Sequence, residues 1–268
     1  MNAVSILGIG TCAMGLPDWS AARDVLRGER IWQAEELPKL DIRELPVAER
    51  RRVSAAARLA ITAATQAVAP YPPEVRASIP SVFATGNGDG QILASTLQML
   101  RDDPGAMSPT LFHNSVFNAA AGYWTIAGQS RARSTTVSAG IGTFAAGVLE
   151  AGVQVHHTSA PVLLVAVDLP FPPALASFEV RGAPFACALL LGPASAAARA
   201  PCGTMRISTL DVERPAAREV LDSAMSDAFR GNPAAQALAL LAAVARSHAA
   251  TLALPYVDTC NVEIGYVP

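Results

Sequence analysis

One stretch constrains this chain more than any other. Residues Ser134-Thr135-Thr136-Val137-Ser138 are β-favouring and read as a strand. The turn Ala139-Gly140-Ile141-Gly142 follows, and then a helical stretch from Thr143 to His157 whose one formal charge is Glu150. A helix apolar on nearly every side must be buried on nearly every side. The next strand, expected over Ala160 to Leu169, carries the apolar run Val162 to Val167, as suits a strand covered on both faces. A strand, a glycine turn, an enclosed helix and a second enclosed strand require a sheet with layers on both sides.

The remaining sequence repeats that alternation. Ala3 to Gly8 predicts a first strand, with Gly8-Ile9-Gly10 ending it in a turn, and Ser20 is a candidate cap for a short helix through Val25 and Leu26. Residues 30–48 mix charges with prolines and predict a surface excursion. Ser54 opens an alanine-rich helix to about Ala67, closed by Pro70, Pro72 and Pro73. Ser81 to Thr85 is a strand that enters Gly86-Asn87-Gly88-Asp89-Gly90, with a helix from Gln91 to Leu100. These glycines miss the G-x-G-x-x-G spacing of a dinucleotide site, so close backbone packing is the better reason for them. Ser115 to Ala127 predicts one helix. Phe185 to Leu191 and Met205 to Val212 predict strands, and Ala216 to Phe229 and Ala234 to Ala249 predict helices. Thr251 to Leu254 and Asn261 to Tyr266 predict closing strands.

Composition narrows the function classes. Hydrophobic residues make up 51% of the 268 residues and charged residues 16%, so part of the surface is expected to be covered by a partner. The formal charge of −2 and the lack of a large basic patch argue against nucleic acid. The densest basic run, Arg50-Arg51-Arg52, reads either as a solvated helix start or as a contact for an acidic carrier protein. The four cysteines Cys12, Cys187, Cys202 and Cys260 form no C-x-x-C pair, which supports neither a metal site nor a redox motif and fits a reducing cytoplasm. Residues 1–15 lack a charged n-region and are broken by Gly8 and Gly10, unlike a signal peptide. No apolar run is long enough for a membrane span.

The segment Ser108-Pro109, Phe112-His113-Asn114-Ser115-Val116-Phe117-Asn118, Ala121-Gly122, then Thr135 to Ser138 with its turn and buried helix, resembles the N-terminal half of a β-ketoacyl synthase, of the thiolase-fold superfamily. Leu7 to Gly10, Arg50 to Ala67 and Phe185 to Leu191 extend the resemblance, which covers residues 3–192 and is greatest to short ketosynthase-like chain-length factors of aryl-polyene pathways. It implies an α/β, thiolase-like fold, largely one half, with a parallel-rich mixed sheet and a central buried helix. It also implies a single domain over residues 1–268 with a shortened, divergent part from 193.

In that family a cysteine opens the buried helix, where unpaired N–H groups and the helix dipole lower its pKa. Here Gly140 stands at that position and offers nothing to acylate. The family's histidine pair has no counterpart: His156 and His157 end a helix, as His248 does, and His113 reads as a hydrogen-bonded loop residue. The resemblance therefore implies a non-catalytic subunit of a heterodimeric β-ketoacyl synthase in polyene- or fatty-acid-like elongation, without cofactor or metal. It would pair with a catalytic ketosynthase, possess a transient acyl-carrier-protein contact, and lack a membrane span. Phe112, His113, Val116, Phe117 and Asn118 would then line the acyl tunnel or the interface, although the aromatics could equally fill this chain's own core. Two other readings stay open: an acyltransferase or hydrolase using Ser138 or Cys12, and a stand-alone module binding an acyl carrier protein or a lipid.

Overall fold

The computed structural model describes residues 3–103, 105, 108–175, 182–195, 202–211, 221–257 and 260–268. The chain opens with strand β1 (Val4–Ala13) and helix α1 (Trp19–Arg27). An irregular excursion ends in the single turn α2 (Val47–Arg50). Helix α3 (Ala55–Val68), the single turn α4 (Pro73–Arg76), strand β2 (Ser81–Ala84) and helix α5 (Gly90–Asp102) follow. Next come α6 (Pro109–Ser115), α7 (Ala119–Ala127), β3 (Ser134–Val137) and α8 (Thr143–Thr158). The second half holds β4 (Val162–Asp168), β5 (Phe185–Pro193), β6 (Thr204–Asp211), α9 (Ser223–Ala228), α10 (Ala237–Arg246), β7 (Ala250–Val257) and β8 (Cys260–Val267).

All eight strands join one mixed sheet in the order β3-β2-β4-β5-β1-β6-β8-β7. The parallel pairings are β2 with β3 and β2 with β4, and the others are antiparallel. The parallel share is smaller than the apolar runs suggest, because such a run records burial on both faces and not strand direction. Helices α3 and α7 cover one face, where Leu59 and Ile61 of α3 join a core with Phe83, Leu163 and Leu190 of the sheet. On the other face α8 packs against β2, β4 and β5, and its far side meets β6, β7 and β8. The predicted central helix is thus enclosed between the first five strands and the last three. Helices α1 and α10 close this layer by a reciprocal clasp: Arg27 Nε donates to the Ala245 carbonyl at 2.5 Å and Arg246 Nε to the Leu26 carbonyl at 2.9 Å. Each arginine thereby satisfies a helix-end carbonyl of the other helix.

Several expectations change in detail. Gly8 and Gly10 lie within β1 rather than ending it. A Cβ on either would reach the α3 carbonyl oxygens of Ala67 and Ala63 at 2.1 and 2.0 Å, so these glycines let α3 lie directly on the strand. Asp18, not Ser20, caps α1 by accepting from Ala21 N–H at 2.9 Å. The helix expected over Ser115 to Ala127 is split, because Val116 takes an extended backbone that ends α6 before α7 begins. The helix expected over Ala216 to Phe229 falls partly outside the described residues, and its described part is α9. No described helix is long and apolar enough to cross a membrane.

Candidate functional site at the C-terminal edge of the sheet

Strands β2, β3 and β4 run parallel, so their C-terminal ends share one edge. In open α/β sheets this is where ligands and reacting groups collect. Three segments meet there: the β2–α5 loop (86–89), the turn 138–142, and Asn232-Pro233 ahead of α10. A Cβ on Gly86 would meet the Pro233 ring at 2.9 Å and the Gly140 carbonyl oxygen at 3.3 Å.

The turn itself is fixed from within. Gly142 N–H donates to the Ala139 carbonyl at 2.9 Å, Thr143 Oγ1 donates to the Gly140 carbonyl at 2.6 Å, and Ala139 N–H donates back to Thr143 Oγ1 at 3.0 Å. Gly140 opens a 3₁₀ turn (Gly140–Gly142) that feeds α8, with φ of +54°. A Cβ there would meet nothing within 4 Å. The position is therefore open space at the head of a buried helix, in a left-handed conformation that glycine takes at no cost. Its neighbour is the reverse: a Cβ on Gly142 would strike the Tyr256 carbonyl oxygen at 2.2 Å, so the end of β7 rests directly on the turn.

The other candidate nucleophiles are poorly set. Ser138 is exposed and its hydroxyl donates to the Gly86 carbonyl at 3.3 Å, so its recorded partner is an acceptor and not an activating base. Cys12 is fully buried and burial pushes its thiol up to about 12, as it does that of Cys187. No cluster of three potential metal ligands occurs among the described residues.

The predicted segment Phe112 to Asn118 lies at the same edge. Phe112, Val116 and Phe117 are 61%, 42% and 41% exposed, which overturns the option that they fill this chain's own core. They stay outside because Asn114 takes the inward position: its Nδ2 donates to the Arg52 carbonyl at 2.9 Å and the Thr110 carbonyl at 3.0 Å. His113 sits in the last turn of α6, not in a loop, and meets Tyr123 edge to face at 5.5 Å. Asn118 precedes α7 at its cap position without a side-chain capping bond and is exposed. The Phe117 ring lies 3.6 Å from where a Cβ on Gly88 would stand. Phe117 and Val116 roof a cleft of about 20 Å³ above Ala57 and Thr85. That volume suits one water molecule and no acyl chain.

Sequence reasoning missed Asp168 and Asn232. Asp168 closes β4 with no exposed surface, and burial pushes its carboxyl up to about 7 despite its hydrogen bonds. An aspartate ending an otherwise apolar strand was the available signal. Tyr256 was also missed, since only the fold brings the end of β7 to the turn.

The sequence profile of the β-ketoacyl synthase N-terminal domain matches residues 19–255. No curated protein sequence matches the chain. Among solved structures, a ketosynthase in complex with its chain length factor from Xenorhabdus doucetiae is similar at 22% identity, over 99% of this chain and 100% of that one, with a TM-score of 0.73. The ishigamide ketosynthase/chain length factor matches at 13% identity over 99% of each chain, with a TM-score of 0.74. A type II polyketide acyl carrier protein in complex with its ketosynthase includes a chain matching at 12% identity over 99% of each, with a TM-score of 0.76. At these identities the likeness is one of fold, and it extends over whole chains.

Proposed function

The chain belongs to the β-ketoacyl synthase family, and from that premise we propose that it is the non-catalytic, chain-length-setting subunit of a heterodimeric ketosynthase. The observation that supports it most is the turn at Gly140, held by three hydrogen bonds and open to solvent, at the position that the sequence resemblance gives to the family's nucleophile. Condensation would then be performed by the cysteine of a catalytic partner, with an acyl carrier protein visiting transiently. Solved relatives that pair a ketosynthase with a chain length factor support this reading of the partner. In this reading the whole chain acts as one cytoplasmic domain.

The surfaces suit the role. Strand β3 is an edge of the sheet, short and uncharged, and so a ready template for another strand. Ile126 on α7 and Val153 on α8 are exposed on helices that touch it. Phe112, His113, Val116, Phe117 and Asn118 would face the partner, where the aromatics close the far end of its acyl tunnel. The small cleft beneath Phe117 means that such a tunnel has to be completed by the second chain.

The test is co-expression with a complete ketosynthase. The two chains are expected to co-purify and to condense a carrier-bound acyl group with a malonyl extender. This chain alone, incubated with a labelled acyl thioester, is expected to show no mass increase. An acyl adduct on the isolated chain would make it an acyltransferase and defeat the proposal.

A further inference from the structure

The segments that build this edge are tied together by one carboxyl group. Asp168 Oδ1 accepts from Thr85 Oγ1 at 3.1 Å and from Gly86 N–H at 2.8 Å. Thr85 Oγ1 in turn accepts from Gly88 N–H at 3.0 Å. The Asp168 carbonyl accepts from Asn232 Nδ2 at 3.0 Å, and the same amide donates to the Ala183 carbonyl at 2.9 Å. Asn232 Oδ1 accepts from Ala235 N–H at 3.2 Å. The β2–α5 loop and the segment entering α10 therefore meet on Asp168.

Oδ2 of the same carboxyl is buried and completes no hydrogen bond among the described residues. The backbone amides of Asn87 and Ala234, one from each segment, lie close enough to favour the ionised form without closing on that oxygen. The loop so held is the one that matters at the edge: Gly88 lies under Phe117 and Gly86 faces the Gly140 carbonyl.

We propose that Asp168 is a protonation-controlled latch that positions this edge. Ionised, Oδ2 draws in the amides of Asn87 and Ala234 and closes the two segments on each other. Protonated, Oδ2 presents a hydrogen to those two donors, the segments part, and Phe117 loses the surface on which it rests. Burial places the switch near neutral pH. Among the described residues no charged side chain sets it: the contributions come from burial, Thr85 and the amides of Gly86, Asn87 and Ala234. Asp89 on the same loop is engaged at the N-terminus of α5, through Gln91 and Ile92 N–H, and Arg230 ahead of Asn232 is paired with Asp227. Phe185, opposite Asp168 on β5, is apolar. The latch belongs to this chain alone and holds whether or not a ketosynthase binds.

The experiment is an NMR titration of the full chain, with carboxyl-labelled aspartate and labelled glycine amides, from about pH 4 to about pH 9. The Asp168 carboxyl is expected to titrate well above the ordinary carboxylate range, with the Gly86 and Gly88 amides following at the same midpoint. Asp168→Asn removes the titration of those two amides. Thr85→Val deletes a donor to the ionised form and raises the midpoint by about half a unit or more; it decides the matter should the Asp168→Asn chain not fold. Titration of Asp168 near its ordinary value, glycine amides that do not follow it, or an unmoved midpoint in Thr85→Val would overturn the latch.

Discussion

At the scale of single residues, Gly140 and Asp168 make separable predictions. Gly140→Ala adds a methyl that meets no neighbour but must sit at positive φ, so it is expected to cost about 1 kcal/mol in a denaturant titration. Gly140→Cys should cost the same and gain a thiol that alkylates faster than Cys12 or Cys187, since it would be exposed at a helix N-terminus. It should still fail to condense acyl groups, because His113 packs on Tyr123 and His156 and His157 lie in the last turn of α8, at the opposite end of that helix from Gly140. Asp168 acts on stability through its raised pKa. The folded chain holds that proton more tightly than the unfolded chain, so this contribution is complete below about pH 4 and is lost as pH rises to about 7. The loss amounts to roughly 4 kcal/mol at most if the full shift is expressed. It should appear as a falling midpoint of urea unfolding between those values and should flatten in Asp168→Asn. The ionised latch is locally tighter, yet the unfolded chain hydrates that carboxylate better, so the two effects do not conflict.

At the scale of elements, the sequence announced those whose periodicity was unmixed. The helix after Gly142 was legible because a charge-poor stretch of that length has no exposed face to offer. β4 and β5 were legible because both of their faces are covered. What misled was glycine. In β1 it looked like a turn signal, whereas it records contact with a helix that comes from some fifty residues later in the chain. The difference between these uses can be measured. Gly10→Ala drives a methyl into a backbone carbonyl that cannot move without shifting α3, and is expected to destabilise the chain by about 3 kcal/mol. Gly122→Ala, inside α7 with nothing within 4 Å, should instead stabilise the isolated chain by about 1 kcal/mol through helix propensity alone. Thermal unfolding of the two variants should move in opposite directions. Phe112 and Phe117 left two readings open in the sequence, tunnel or interface against core. Large aromatics ordinarily signal a core, but here Asn114 takes the inward position of α6 and both aromatics stay exposed.

At the scale of the molecule, residues 200–268 could not be placed from sequence, because their strands carry no sign of which sheet they extend. The fold answers with β6 pairing to the far edge of β1, so that β6, β8 and β7 come round α8 and leave β3 as the uncovered end. That asymmetry locates the expected partner. One edge strand, β7, carries Pro255 and reaches the Gly140–Gly142 turn through Tyr256; the other, β3, carries no blocking charge or proline and is flanked by exposed Ile126 and Val153. Replacing both flanking residues by lysine tests the assignment without disturbing the chain's interior. Each is already exposed, so the double variant should unfold within a few degrees of the parent. Pairing with a ketosynthase should weaken at least about tenfold, because two ammonium groups would have to be desolvated against an apolar neighbour. Size-exclusion co-elution and titration calorimetry would read both quantities on the same preparations. Undiminished affinity in the double variant would move the partner away from β3 and onto another face.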